Sequence, residues 1–290
     1  MTQAKLFDQT LCTLGEGPFW HPERKSLIWF DIMEKCLLER RGDVSKVQKL
    51  KFDSYVSAAG WINQTQLLMA TSEALVKLDL DTGRMNKLID LESENILTRS
   101  NDGRADPHGG FWIGTMGIKM ESELGAIYRF YKGELRKIFS NISIPNSICF
   151  SPCGTIGYFT DTVVGQILRV GLDSVGWPNS KPEVFVDCRS KDINPDGSVV
   201  DLDGCLWNAQ WGSSRVARYS QNGELLNTIE VDAPQASCPA FGGDNFSTLF
   251  ITSARDGMST SQLIKAPMSG ALFYAETQVI GQKEHRVILG

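Results

Sequence analysis

The chain has 290 residues, of which 42% are hydrophobic and 22% are charged, and this composition is ordinary for a soluble globular protein. Its net charge of −5 and its scattered lysines and arginines argue against a nucleic-acid surface, which needs a basic patch. The chain lacks the apolar segment of a signal peptide and any apolar run long enough to span a bilayer, so we expect a cytoplasmic protein without a membrane partner. Seven cysteines without a Cys-x-x-Cys pair predict reduced, mostly buried thiols.

One pattern, a turn followed by a short apolar strand, occurs six times along the chain. The six apolar strands begin at Leu27, Leu67, Phe111, Ile156, Cys205 and Leu249. The intervals between these starts are 40 to 49 residues, which is the length of a four-stranded propeller blade. The repeat therefore predicts one structural unit per interval.

Each unit contains further strand patterns around the apolar strand. A following strand of alternating or β-branched character is predicted at residues 75–80, 126–131, 166–172, 215–219 and 271–274. A fourth, more polar strand suited to an outer edge is predicted at 47–52, 87–91, 135–139, 183–186 and 225–231. No convincing amphipathic helix appears. We therefore predict an all-β six-bladed β-propeller with four-stranded blades, forming a single domain over residues 1–290 and closed by residues 5–8. A solenoid of the same period is the alternative.

Oxygen-bearing side chains recur at one phase of this repeat. Nine to eleven residues before four of the apolar strands stand Glu16, Asn101, Asn146 and Asp196, whereas the other two blades have the neighbourhoods of Val56 and Pro239 there. The innermost strand of a propeller blade begins at the mouth of the central channel, so these four side chains should converge. Each alone is typical of a turn or a solvated loop, but their shared phase favours a site.

Two carboxylates with amide oxygens form a hard ligand set, which suits Ca²⁺, Mg²⁺ or Mn²⁺ and allows Zn²⁺. So few protein ligands leave positions for water and substrate, where a cation polarises a carbonyl or phosphoryl oxygen. A neighbouring carboxylate can take a proton from the attacking water. Arg99 could project a bidentate donor over the same mouth. Motifs for a serine nucleophile elbow, a zinc protease, a Walker A loop or a dinucleotide fold are missing from the sequence.

Six short motifs together resemble the gluconolactonase/regucalcin (senescence marker protein) family. They are LGEGPFW at 14–20, RSNDG at 99–103, GTM at 114–116, PNS at 145–147, PDG at 195–197 and ARDGM at 254–258. The resemblance extends from about residue 14 to residue 273. The resemblance implies a six-bladed propeller that holds one catalytic divalent cation. It also implies that the protein hydrolyses sugar lactones.

The resemblance also assigns roles to single residues. Glu16, Asn146 and Asp196 match the three metal ligands of the family, and Asp196 also matches its general base. Arg99 and Asn101 match positions that hold the hydroxyls of the substrate.

Three further positions complete this comparison. Glu121, in a lid-like segment, matches another substrate-side carboxylate. The sequence departs from the family pattern at Ser147, where glycine is common, and at Asn208, where an apolar residue is common. Neither departure removes a ligand, but both put the shape of the substrate pocket in question.

The sequence thus predicts a metal-dependent lactonase that opens an aldono- or related sugar lactone to its acid, with that small molecule as its partner. Two other functions stay open. One is a phosphotriesterase-like hydrolase with the same metal site. The other is a calcium-binding regulatory propeller without turnover, since one fold hosts many functions.

Overall fold

The structure, a computed structural model, describes residues 2–42, 44, 46–191 and 193–290. Two short strands come first, β1 (Thr2–Gln3) and β2 (Lys5–Asp8). Blade 1 contains β3 (Gly15–His21), β4 (Ser26–Asp31), β5 (Cys36–Arg41) and β6 (Gln48–Lys51). Blade 2 contains β7 (Val56–Trp61), β8 (Gln66–Thr71), β9 (Ala74–Asp79) and β10 (Met85–Asp90). Blade 3 contains β11 (Thr98–Ala105), β12 (Phe111–Gly117), β13 (Gly125–Tyr131) and β14 (Glu134–Ile142).

The second half of the chain follows the same plan. Blade 4 contains β15 (Pro145–Phe150), β16 (Ile156–Asp161), β17 (Gln166–Gly171) and β18 (Glu183–Asp187), and a short 3₁₀ helix follows at Arg189–Lys191. Blade 5 contains β19 (Asn194–Val200), β20 (Leu206–Trp211), β21 (Arg215–Tyr219) and β22 (Leu225–Glu230). Blade 6 contains β23 (Ala236–Gly242), β24 (Thr248–Ser253) and β25 (Leu272–Glu276). The predicted six-bladed β-propeller is confirmed.

Residues 2–8 close the ring by joining two different blades. β2 pairs antiparallel with β25 and supplies the outermost strand of blade 6, as predicted for residues 5–8. β1 pairs parallel with β22 and adds a fifth strand to blade 5. This second pairing is not predictable from the sequence, because a two-residue strand carries no readable alternation.

The second strand of each blade is almost fully buried, which explains why these strands are continuous apolar runs. In β4, Leu27, Ile28, Trp29 and Phe30 are all buried. They lie between the first and third strands of their own blade and pack against neighbouring blades, as Phe30 does in one cluster with β7 and β8. The hydrophobic core is therefore a ring of interfaces between blades, and burial of this apolar surface holds the blades together.

The described residues contain one α-helix, α1 (Thr260–Lys265), in the connection between β24 and β25. A capping box begins it, in which the Ser259 hydroxyl accepts a hydrogen bond from the Gln262 N–H and the Gln262 side chain accepts one from the Ser259 N–H. The six residues bury no side chain, so the helix shows no apolar periodicity that the sequence analysis could have detected. Neither this helix nor the 3₁₀ turn, within the described residues, is long and apolar enough to cross a membrane.

Residues 280–288 cross the end of the propeller opposite the start of the innermost strands. The Gln282 amide donates to the carbonyls of Phe150 and Val200, and the Trp61 indole donates to the Glu284 carbonyl. The Glu284 carboxylate forms an ion pair with Arg104, an inward residue of β11. This segment therefore covers the far end of the channel. The seven cysteines, all within the described residues, form no disulfide, and only Cys153 is exposed.

Candidate metal centre

A shift in strand register shapes the start of every innermost strand. In β3 the shift follows Glu16, and in β15 it follows Asn146. Asn101 lies inside the shift in β11, and Asp196 lies inside the shift in β19. A β-bulge of this kind bends the strand and re-aims the side chain next to it. The repeated bulge explains how strands that otherwise face neighbouring blades present polar side chains to the channel.

Two aspartates at the ends of second strands hold the chain that leads into two of these innermost strands. The Asp31 carboxylate accepts hydrogen bonds from the N–H groups of Thr13 and Leu14, at 2.8 and 3.1 Å. The Asp161 carboxylate does the same for residues 143 and 144, at 2.8 and 3.1 Å. The entry to the strands that carry Glu16 and Asn146 is thus fixed by equivalent contacts in blades 1 and 4.

A cavity of about 290 Å³ lies at this end of the channel. Five of the six predicted site residues line it: Glu16, Arg99, Asn101, Asn146 and Asp196. All five are buried. A larger cleft, of about 940 Å³, lies at the seam between blades 1 and 6 and contains none of the predicted site residues. The structure therefore brings together the side chains that the repeat phase predicted, in the smaller cavity.

A chain of hydrogen bonds links four polar side chains of this cavity. The Arg99 guanidinium donates to Asn101 Oδ1 at 2.9 Å, and Asn101 Nδ2 donates to Asn146 Oδ1 at 2.9 Å. Asn146 Nδ2 donates to the Thr162 hydroxyl at 2.9 Å, and that hydroxyl donates to the Pro195 carbonyl at 2.8 Å. The chain fixes the orientation of the Asn146 amide, so its oxygen is directed toward Asn101 and its nitrogen toward Thr162.

The buried carboxyl groups of the cavity are short of positive charge. Burial, reinforced by Asp102, raises the pKa of Glu16 to about 8, against the opposing effects of the Gly17 N–H and Arg99. Burial, then Glu16 and Asp102, raises the pKa of Asp196 well above its usual range. Burial also lowers the pKa of Arg99. A divalent cation would supply the missing charge and return both carboxyl groups to their ionised forms.

The donor set is consistent with such a cation. Glu16 and Asp196 offer carboxylate oxygens and Asn146 offers an amide oxygen, all hard donors of the kind that Ca²⁺, Mg²⁺ and Mn²⁺ prefer. In the part of the chain that the structure describes, no group of three or more His, Cys, Asp and Glu side chains is arranged to hold a metal. A site made of two carboxylates and one amide would leave further positions for water and substrate.

Asp102 is a buried acid of this region that the sequence analysis did not single out. Its carboxylate accepts a hydrogen bond from the Ile148 N–H at 2.7 Å, which ties β11 to β15, and burial raises its pKa to about 6. In the sequence it stands inside Asn101-Asp102-Gly103, which reads as a turn. Its burial on an innermost strand is the signal that only the structure provides.

Glu121 lies apart from the other predicted site residues. Its carboxylate accepts a hydrogen bond from the Lys119 N–H at 3.0 Å, within its own loop between β12 and β13. The residue of this loop that lines the cavity is Met120. The substrate-binding role of Glu121 therefore stays a prediction, since the structure directs its side chain to the loop backbone.

Ser147 and Asn208, the two departures from the family pattern, contact the same backbone carbonyl. The Ser147 hydroxyl donates to the Asp196 carbonyl, and Asn208 Nδ2 donates to the same oxygen at 2.9 Å. Ser147 has a φ of 61°, a left-handed conformation that favours glycine. Neither residue lines the cavity. They act on the strand that carries Asp196 rather than on the wall of the pocket.

Comparison with known proteins shows the family to which the chain belongs. A family model described as "SMP-30/Gluconolactonase/LRE-like region" matches residues 14–255. The L-arabinolactonase of Azospirillum brasilense is 35% identical, over 98% of this chain and 95% of that protein. Human regucalcin is 27% identical, over 90% of each chain. The crystal structure of regucalcin from Agrobacterium tumefaciens, described as a calcium-binding protein, superposes with a TM-score of 0.97 at 40% identity, over 99% of this chain and 98% of that one. The chain therefore belongs to the SMP-30/gluconolactonase/LRE-like family.

Proposed function

We propose that the protein hydrolyses a sugar lactone to the corresponding acid with a divalent cation held by Glu16, Asn146 and Asp196. The observation that carries this proposal is the convergence of two buried carboxyl groups of raised pKa with an amide oxygen at the floor of an open cavity. The lactonase among the relatives supports the reaction class. The regucalcin structure described as calcium-binding supports a divalent cation and favours Ca²⁺ as the first to test.

The cation and the side chains around it have separate roles in the hydrolysis. When bound, the cation supplies Lewis-acid polarisation of the lactone carbonyl and lowers the pKa of a neighbouring water. Asp196 takes the proton of the attacking water as general base, a role that contributes about 10²- to 10⁴-fold. The water oxygen bonds to the acyl carbon, and the bond between that carbon and the ring oxygen then breaks. The proton held by Asp196 passes to the ring oxygen, which becomes a hydroxyl. Arg99 and Asn101 hold the hydroxyls of the substrate and orient its ring.

Proton release from a panel of sugar lactones tests this proposal. Protein stripped with a chelator should be inactive, and Ca²⁺, Mg²⁺, Mn²⁺ or Zn²⁺ added back singly should restore turnover of at least one lactone. Asp196→Ala should abolish turnover, because it removes a ligand and the base together. Arg99→Ala should lower kcat/KM without loss of the cation. Asp244→Asn is the matched control, since its side chain is 85% exposed and lies at the seam between blades 1 and 6.

The same panel separates the other two functions. Turnover of an organophosphate triester without turnover of any lactone would favour the phosphotriesterase. Tight binding of a cation without turnover of any ester would favour the regulatory propeller. Activity of Asp196→Ala close to that of the unmodified protein would contradict the mechanism, in which Asp196 is both the base and a ligand of the cation.

A further inference from the structure

The loops around the mouth of the cavity expose large apolar side chains. Among the described residues, the four most exposed large apolar side chains are Ile96 (86%), Ile264 (76%), Met120 (65%) and Val163 (64%). All four lie in connections at the end of the propeller where the innermost strands begin. Scattered exposed apolar residues are normal, but a concentration at one mouth indicates a binding surface.

Met120 and Val163 belong both to this exposed set and to the lining of the cavity. Below them, Met116 and Ile144 continue the apolar wall on the side of blades 3 and 4. Trp211 adds an aromatic surface from blade 5. Only the floor, where the proposed ligands lie, offers several convergent polar groups. The cavity is thus polar at the reacting end and apolar along one side of its mouth.

The polar side chains near the mouth either have other hydrogen-bond partners or belong to other blades. The Thr162 hydroxyl already donates to the Pro195 carbonyl and accepts from Asn146. Asn194 and Asp256, which also line the cavity, are exposed and belong to blades 5 and 6. A substrate carbon placed against Met120 and Val163 would cover exposed apolar surface, which is favourable, whereas a hydroxyl at the same place would gain less from this contact.

We propose that the lactone taken by this site is a deoxy sugar lactone, whose methyl or methylene carbon lies against Met120 and Val163. This inference rests on the proposed function and specifies its substrate class. The acyl carbon lies over the polar floor, the remaining hydroxyls face Arg99 and Asn101, and the carbon without a hydroxyl faces the apolar wall. An apolar pocket rejects an added hydroxyl only moderately, so we expect a preference of roughly 10- to 100-fold in kcat/KM.

Matched pairs of substrates test this inference. Each pair is a 6-deoxyhexonolactone and the hexonolactone of the same configuration, so the two differ by one hydroxyl. The quantity measured is the ratio of kcat/KM for the two members, with the cation at saturation. Because both rates come from one protein sample, the ratio does not depend on the fraction of active protein.

Two threonine variants give the test its control. Val163→Thr keeps the shape of the side chain and adds a hydroxyl to the wall, so the ratio should fall toward 1. Val164→Thr makes the same change at the next residue, which is also exposed but does not line the cavity, and it should leave the ratio unchanged.

The outcomes separate this inference from the proposed function. Turnover of another lactone of the panel without turnover of either member of any pair would overturn the inference and leave the proposed function standing. Turnover of both members at a ratio of 1 or below in every configuration would overturn the inference alone. A high ratio that Val163→Thr does not reduce would overturn the placement of the deoxy carbon against this wall.

Discussion

Without the cation, the stability of the folded protein should fall as the pH rises from 6.5 to 8. Glu16 is the group that determines the sign. Its pKa is about 8 in the folded protein, against 4.5 for an ordinary glutamate, so the folded state binds a proton that the unfolded state has already released. Stability falls with pH wherever the folded state binds more protons, so this contribution is lost progressively between pH 4.5 and 8. Asp196 has the same sign, since its pKa is also raised.

The size of the effect can be worked out for pH 6.5 to 8, where the histidines do not contribute. Each pKa unit corresponds to about 1.4 kcal/mol, so Glu16 alone should cost about 2 kcal/mol between pH 6.5 and 8. At about 2.1 cal/mol/K per residue, a chain of 290 residues unfolds with an entropy near 0.6 kcal/mol/K, so Tm should fall by about 3 °C. Below pH 6.5, His21, which is buried, and His285, which is half-buried, would add the opposite slope, because burial lowers the pKa values of both.

Thermal unfolding in a chelator at pH 6.5, 7.2 and 8 measures this effect. The exposed thiol of Cys153, with its pKa lowered to about 7, titrates in the same window, so the experiment uses a Cys153→Ser background. Glu16→Gln should flatten the pH dependence of Tm, although Asp196 retains a smaller slope. Saturating Ca²⁺ should remove or reverse it, because cation binding requires the ionised carboxylates and therefore strengthens with pH. A Tm in chelator that stays constant or rises from pH 6.5 to 8 would refute the reasoning.

Two further predictions concern residues outside the proposed ligand set. Iodoacetamide at pH 7.5 should modify one thiol of the native protein, because Cys153 is exposed and has a lowered pKa while the other six cysteines are buried. Mass spectrometry would count the adducts, and the Cys153→Ser variant should show none. Asn208→Leu removes the donor at 2.9 Å from the Asp196 carbonyl, and the loss of this buried hydrogen bond should lower the free energy of unfolding by about 1 kcal/mol, measured by urea denaturation. An unchanged free energy of unfolding in that variant would show that Ser147 holds the carbonyl without help.

The propeller could be predicted because its signal is repeated six times. The period of the apolar strands fixes the number of blades, and the antiparallel order within a blade follows from strands joined by short turns. The phase of Glu16, Asn146 and Asp196 within that period also predicts that they meet, because equivalent positions of a ring face one axis. The structure places these side chains around one cavity, as this reasoning requires.

Features without a repeat could not be predicted in this way. The loop that carries Glu121 has no counterpart of known shape in the other blades, so sequence alone does not specify which of its side chains faces the cavity. Asp102 resembles a turn residue until its strand is known to be buried. Ser147 and Asn208 lie 61 residues apart in sequence, and they meet only because blades 4 and 5 pack against each other.

The two strands at residues 2–8 have a consequence for how the chain reaches this structure. Their partners are β22 and β25, so they must wait for more than 200 further residues to be synthesised before either pairing can form. After β22 and β25 are made and before β1 and β2 pair with them, the outer edges of blades 5 and 6 are open, and open edges recruit other chains. Contacts between such distant parts of a sequence form slowly. We therefore expect ring closure to be the last and slowest step of folding, and the step at which a crowded, newly made chain is most vulnerable to aggregation.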